Sequence, residues 1–357
     1  MTHRCLGWVR QPYDPRDWHF KAPRRLLAHL APTIDLMANM GPYLDQQDIG
    51  ACGPNTADEM IEFDQKIEGM PVVSASRLFN YWTTRYLMDP SSVDQDTGVD
   101  NRTLMKALNA YGFCPESLWP YDTSKFTQQP PKAAFDAALP NRINNYAAVV
   151  QNLAQMQGTL ASGFPFMFGF SVYQQIMSDQ AAATGILADP KRGETPIGGH
   201  DMTCCGFTTV DRPGVKPGNK WPAGTFKLRQ HWVNGDGSPW GDGGYGYVSF
   251  AYATNPNLAG DFWVINAIPG AVPKPPAPPP APPPSPPPVP PVPPAPPPPG
   301  PAPTPGAVAW LAALDASLNV LFKMPIHLSA GFNRAILGIA YVAGLDANLN
   351  IVWKFPI

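Results

Sequence analysis

Cys52 closes the run Gln46-Gln47-Asp48-Ile49-Gly50-Ala51 and precedes Gly53-Pro54, and 148 positions further on His200 follows Gly198-Gly199. A thiol attacks a carbonyl carbon only as thiolate, which requires a helix N-terminus or a cationic neighbour to lower its pKa and an imidazole to share its proton. Proline is tolerated in the first turn of a helix, where its missing N–H would be unpaired anyway. Cys52 is therefore expected at a helix start, with the positive end of the dipole beside its sulfur. His200 opens the apolar run Met202-Thr203-Cys204-Cys205-Gly206-Phe207 and is expected at the beginning of a strand, facing across a cleft. Gln46 stands six residues before the thiol, where its side-chain amide can join the Cys52 N–H in holding an oxyanion. Singly, each has a bland reading: a buried small residue, a structural histidine, an exposed loop glutamine. Together they have the parts of nucleophilic acyl transfer.

These residues need elements to hold them. Apolar spacing predicts helices over about Pro54 to Ile67, Ser76 to Leu87 and Leu104 to Tyr111, so that Asn101-Arg102-Thr103 reads as a helix start and not as a glycosylation acceptor. Strands are expected at Phe166 to Val172, Asp201 to Phe207, Phe226 to Trp232 and Tyr245 to Ala251, between loops rich in Gly, Pro and Asp. A helical half followed by a strand-rich half is an α+β arrangement. Gly241-Asp242-Gly243-Gly244-Tyr245-Gly246 fits a dinucleotide-binding fingerprint by letter. A strand and no helix follows it, so a tight turn is the better reading. Cys114, Cys204 and Cys205 read as small apolar packing residues and His231 as a loop residue.

Composition narrows the function. The 357 residues are 44% apolar with ten Trp, twelve Tyr and seventeen Phe, enough for a sizeable core. A formal charge of -2 and only 15% charged residues leave no basic stripe for a phosphate backbone, which excludes nucleic acid as an expected partner. Five cysteines without a C-x-x-C spacing argue against a disulfide framework and against a metal site, and no cofactor is expected. The N-terminus lacks the apolar run of a signal peptide, and no stretch reaches the roughly 20 apolar residues of a membrane span. A cytoplasmic or virion-associated location is the expectation.

Three segments are expected: a globular domain over 1–268, a Pro-rich linker over 269–305 and a C-terminal module over 306–357. The linker favours a polyproline II rod that rises about 3.1 Å per residue. In the module, Trp310-Leu311-Ala312-Ala313-Leu314-Asp315 returns as Tyr341-Val342-Ala343-Gly344-Leu345-Asp346, and Lys323-x-Pro325-Ile326 as Lys354-x-Pro356-Ile357. Each copy reads as an apolar strand, a polar turn and a second strand. Two such hairpins are too small to bury their faces alone, so docking onto another surface or a homo-oligomer is expected.

The chain resembles the papain-like (C1) cysteine peptidases, in particular the bacterial and viral members without a long propeptide. The resemblance is carried by Asp45-Gln46-Gln47-Asp48-Ile49-Gly50-Ala51-Cys52, Arg16-Asp17, Ser76-Arg77-Leu78-Phe79, the stretch from Tyr111 to Tyr121, and Asp261-Phe262-Trp263-Val264-Ile265, and it spans roughly residues 5 to 266. The separation of Cys52 and His200 also lies within the roughly 130–150 residues typical of such enzymes. The resemblance implies a two-lobe fold, a helical lobe facing a β-barrel-like lobe. It implies peptide-bond hydrolysis of protein or peptide substrates, with Cys52 as nucleophile, His200 as base and then acid, and Gln46 in the oxyanion hole. Gly50, Gly199, Trp232 and Asp201 are the expected substrate-binding residues. Gln230 stands where the family has an asparagine that orients the imidazole, and Asp201 puts an acid where a small apolar residue is usual. If Asp201 faces the cleft, it would favour a basic substrate side chain and raise the His200 pKa. Only 45 residues precede Gln46, too few for the large inhibitory prosegment of secreted relatives. Gln230 also leaves room for an impaired pseudoenzyme serving as a binding module, and the shared acyl-enzyme leaves room for an acyltransferase or transglutaminase-like enzyme.

Overall fold

Helix Cys52–Ile67 is the axis around which the larger part of the chain is built, and its residues from Cys52 to Gln65 are all buried. The computed structural model describes residues 4–267 and the strands 309–314, 320–326, 341–345 and 351–356, with side-chain surroundings for 4–265. Contacts divide the chain into two compact units, Met1–Pro279 and Pro280–Ile357. The expected linker over 269–305 and the Asp-Ala-(Ser/Asn)-Leu-Asn turns of the repeats lie outside the described residues.

A helix buried on all sides needs neighbours on all sides. Ala57, Met60 and Ile61 meet Leu104, Met105, Leu108 and Phe113 of the helical side and Met167, Trp263 and Ile265 of the sheet in one core cluster. The flanking helices start where capping residues stop the backbone N–H groups from going unpaired. Ser76 accepts from Phe79 N at the head of Arg77–Met88, and Asp100 accepts from Thr103 N at the head of Asn101–Ala110. Asn101 is thereby buried, in agreement with its reading as part of a helix start.

The central helix also carries Asp58, Glu59, Glu62 and Asp64 into the interior. The first three find partners: Ala75 N for Asp58, Thr203 Oγ1 for Glu59 and Ser74 Oγ for Glu62. Asp64 has none to offset its burial, which pushes its carboxyl up to about 8, with Glu68 adding to the shift. Because the folded value lies above the ordinary one, stability from this group is full below about pH 4. It is lost as pH rises towards 8, at about 1.4 kcal/mol per pKa unit. Asp64→Asn should unfold at the same urea concentration as the parent near pH 4 and at a clearly higher one at pH 8. Parallel midpoints across that range would show that Asp64 ionises freely in the fold.

The sheet runs His19–Phe20, Asn145–Val149, Ala259–Ala267, Phe166–Val172, Gly198–Thr208, Thr225–Arg229, Tyr245–Ser249 and Ile186–Leu187 in spatial order, with Thr33–Asp35 paired to Gly198–Thr208. Phe166, Phe168, Phe170, Met202, Phe226 and Phe262 fill its interior. The expected strand over Phe226 to Trp232 stops at Arg229, leaving Gln230 and Trp232 in a loop. The one expected over Tyr245 to Ala251 stops at Ser249, whose hydroxyl accepts from Tyr252 N and starts the short helix Phe250–Thr254. Gly241, Gly243 and Gly244 all have positive φ, so the fingerprint-like run is the tight turn expected of it. No described helix is long and apolar enough to cross a membrane.

In the smaller unit Ala309–Leu314 pairs antiparallel with Val320–Ile326, and Tyr341–Leu345 with Ile351–Pro356. The two hairpins join through their first strands into one four-stranded sheet, with Trp310 opposite Leu345, Ala312 opposite Ala343 and Leu314 opposite Tyr341. Since Tyr341 and Leu345 are the repeat equivalents of Trp310 and Leu314, the copies meet about a local two-fold centred between Ala312 and Ala343. Each hairpin thus satisfies one backbone edge of the other.

Candidate active site

Cys52 is the first residue of its helix and is wholly buried, with the Asp201 carboxyl and the backbone of Asp201, Gly7 and Gly53 as its electrostatic neighbours. Asp201 is the neighbour of His200 on strand Gly198–Thr208, so the thiol lies against the segment that carries the histidine. His200 Nε2 is 2.8 Å from Gln230 Oε1, and the same oxygen accepts the His231 backbone N–H at 2.9 Å. A backbone N–H can only donate, which fixes the orientation of the Gln230 amide and makes His200 Nε2 the protonated nitrogen. Nδ1 is then the basic nitrogen of the neutral ring. It is buried with no hydrogen-bond partner. Trp232 stacks on the His200 ring at 4.2 Å with 27° between planes and shields the Gln230 contact from water.

Three further residues, none of them singled out from the sequence as a site residue, complete this arrangement. His231 sits edge-on to His200 at 5.0 Å, with its Nε2 on Asp201 O at 3.1 Å. Tyr121 OH donates to Gln46 O at 2.8 Å, and Arg77 Nη1 to Asp45 O at 3.0 Å, which hold the loop before the thiol. Gln46 N in turn donates to His231 O at 2.8 Å, so the glutamine loop and the histidine loop are stitched to each other.

Residues 5–9 pack against Gly50 and Gly199, the glycines expected to bind substrate. Gln46 Nε2 donates to Ile49 O at 2.8 Å and to Cys5 O at 3.3 Å. Gly7 O accepts from Val99 N at 2.9 Å, Trp8 N donates to Gly199 O at 3.1 Å, and Val9 N to Val99 O at 3.0 Å. The fit leaves no space for a side chain at residue 7, where a Cβ would lie 1.9 Å from Gly50 O. The strap is anchored behind the cleft by Arg102, which forks onto Asp17 and also donates to Pro12 O.

An uncharacterised peptidase C1-like protein of Acanthamoeba polyphaga mimivirus is 33% identical to this chain over 294 residues, covering 74% of this chain and 88% of its own. The chain belongs to the papain-like (C1) cysteine peptidase family. Among solved structures, xylellain, a cysteine protease from Xylella fastidiosa, is similar with a TM-score of 0.63 and 28% identity, over 73% of this chain and 95% of its own. The cysteine protease and lectin-like domains of Cwp84 from Clostridium difficile share the fold at a TM-score of 0.54 and 12% identity, over 74% of this chain and 56% of theirs. No family model matches the sequence.

In this papain-like peptidase burial sets the charge state of the site. It pushes the Cys52 thiol well above its ordinary value, and the nearby Asp201 carboxyl pushes the same way. Burial also takes His200 down to about 3, against the opposing pull of the Gln230 hydrogen bond. With the strap in place both groups are neutral, Cys52 as a thiol and His200 as an uncharged imidazole. Asp201, expected among the substrate-binding residues, points to the helical side. It is wholly buried, accepts from Asn101 Nδ2, and is itself pushed up to about 8 by burial. Successive side chains leave a strand on opposite faces, so the residue after His200 turns towards the helical side.

Proposed function

We propose that the chain hydrolyses peptide bonds of protein or peptide substrates through a Cys52 thioester. In this reading His200 Nδ1 takes the thiol proton as sulfur attacks the carbonyl carbon. The resulting oxyanion is held by Gln46 Nε2 and by the Cys52 N–H, one of the helix N-terminal amides with no partner in its own helix. His200 then gives the proton to the leaving amine, and water, deprotonated by the same imidazole, releases the acid and restores the thiol. Gln230 and Trp232 keep the ring in the required tautomer and orientation.

The observation that carries this reading is the strap. Gln46 Nε2 reaches a peptide carbonyl, that of Cys5, and Gly7, two residues on, is among the electrostatic neighbours of the buried Cys52 thiol. The groove thus already receives extended peptide beside the thiol and the oxyanion donor. Gln230 had suggested a pseudoenzyme, yet its carbonyl bonds His200 Nε2 as an orienting residue must. We also propose that residues 306–357 dock the peptidase to an assembly or to further copies of itself. Fluorogenic peptides should be cleaved by the parent and not measurably by Cys52→Ala, with an acyl-enzyme at Cys52 trapped by acid quench. Cleavage that survives in Cys52→Ala would remove the thiol from the mechanism.

A further inference from the structure

His231 takes no part in the proton transfers proposed above, yet it is bonded to the segments that carry every group in them. Its side chain is wholly buried. The ring Nε2 lies 3.1 Å from Asp201 O and 3.4 Å from Thr56 Oγ1. A carbonyl oxygen can only accept, so Nε2 carries the ring proton, and Nδ1 has no hydrogen-bond partner among the described residues. Asp201 follows His200 on strand Gly198–Thr208, and Thr56 is about one turn after Cys52 on helix Cys52–Ile67. The main chain of the same residue continues the pattern: its N–H donates to Gln230 Oε1 at 2.9 Å and its carbonyl accepts from Gln46 N at 2.8 Å. Burial, and after it the neighbouring His200 ring, holds His231 well below its ordinary value, so the ring is neutral with a single N–H to give.

We infer that His231 is a positioning residue for the base: its ring N–H anchors the loop that carries Gln230 and Trp232 to the His200 strand and the Cys52 helix, and this anchor holds the Gln230 oxygen on His200 Nε2. The inference rests on the hydrolytic reading and deepens it by naming what keeps the imidazole of that site in line. The physical reason is the length of Gln230. A glutamine has one more rotatable bond than an asparagine, so its oxygen stays in one place only if its donors do. One donor is His200 Nε2–H, the group to be oriented. The other is the His231 backbone N–H, fixed in turn by the ring bond to Asp201 O. When the ring bond is lost, the second donor drifts, the glutamine has no fixed point and His200 is free to change tautomer. A histidine present only to fill space would act through its shape, whereas this one acts through its donor.

Two replacements separate donor from shape. His231→Gln puts an amide N–H as many bonds from the backbone as Nε2, and His231→Phe keeps a flat ring and gives up the donor. In the full chain acting on a fluorogenic peptide at pH 7, His231→Phe should lower kcat at least about thirtyfold with KM changed less than about twofold, and His231→Gln should keep roughly a third or more of the parent kcat. The second readout needs no turnover. In chain labelled with 15N-histidine, the His200 Nε2–H resonance, assigned by its loss in His200→Ala, should be sharp in the parent and in His231→Gln and broadened away in His231→Phe. The parent should also show a slowly exchanging His231 Nε2–H; a ring proton already lost to exchange there would by itself overturn the anchor, whether or not either variant folds. Parent kcat in His231→Phe, equal losses in the two variants, or a raised KM at constant kcat would overturn it as well. Should no peptide be cleaved while the resonance pattern holds, the anchor stands and the hydrolytic reading falls.

Discussion

Gly7→Ala should raise the turnover of a small fluorogenic peptide by ten- to a hundredfold. The methyl group has nowhere to go, since residue 7 packs directly on the Gly50 carbonyl. In the parent the strap is held by three backbone hydrogen bonds and the burial of Trp8. At about 0.5–1.5 kcal/mol for each bond and about 1.5–3 kcal/mol for the side chain, docking is favoured by several kcal/mol before the cost of ordering the segment. After that cost a net preference of roughly 1.4–2.8 kcal/mol would leave the open groove at a tenth to a hundredth of the population. Opening also rehydrates Cys52 and His200, which relaxes the burial that holds both neutral, so reactivity should gain beyond the change in access. Rates measured with and without Gly7→Ala, with KM and kcat separated, check this. Unchanged turnover would mean that residues 5–9 are a fixed part of the groove wall.

Gln230→Ala should lower kcat by a hundred- to a thousandfold with little change in KM. Removing its oxygen orphans two buried donors, His200 Nε2–H and His231 N–H, at about 1–3 kcal/mol each. It also frees the ring to turn and to shift its proton to Nδ1, the nitrogen required as base. Gln230→Asn is the more discriminating variant. Asparagine keeps the carbonyl but withdraws it by about 1.5 Å, one carbon–carbon bond length. The glutamine oxygen serves both donors at once, so asparagine should lower kcat several-fold, even though it is the residue usual at this position in the resemblance. A higher kcat in Gln230→Asn would show that glutamine detunes the site. An acid limb of the kcat profile that moves in both variants would separate loss of the base from a general loss of packing.

What the sequence revealed follows from how local each signal is. Pro54 marked the helix start at Cys52, and the apolar spacing of Leu104 and Leu108 marked the helix that the Asp100 cap begins, because caps and periodicity are contained in a few neighbouring residues. The strand bearing His200 was legible from its apolar run. The ends of the next two strands in the sheet were not, since Arg229 and Ser249 are where the chain turns to meet distant residues. The partner of Asp201 was not legible, because Asn101 Nδ2, which binds it, lies a hundred residues away in sequence. The strap was invisible because Arg4 to Val9 has no period and no capping pattern. Its position is set by Gly50, Val99 and Gly199, far along the chain. Asp261 was noticed only as the head of an apolar strand, and nothing local tells that a carboxylate there meets the indole of Trp8.

The most direct test of an imidazole-activated thiol beneath a removable strap is the rate at which a thiol-directed epoxide labels Cys52 at pH 6, read by peptide mass mapping in Gly7→Ala with and without His200→Ala. The expected result is rapid labelling confined to Cys52 that slows at least a hundredfold when His200 is replaced. Equal rates in the two chains, at the pace of an ordinary thiol, would contradict it.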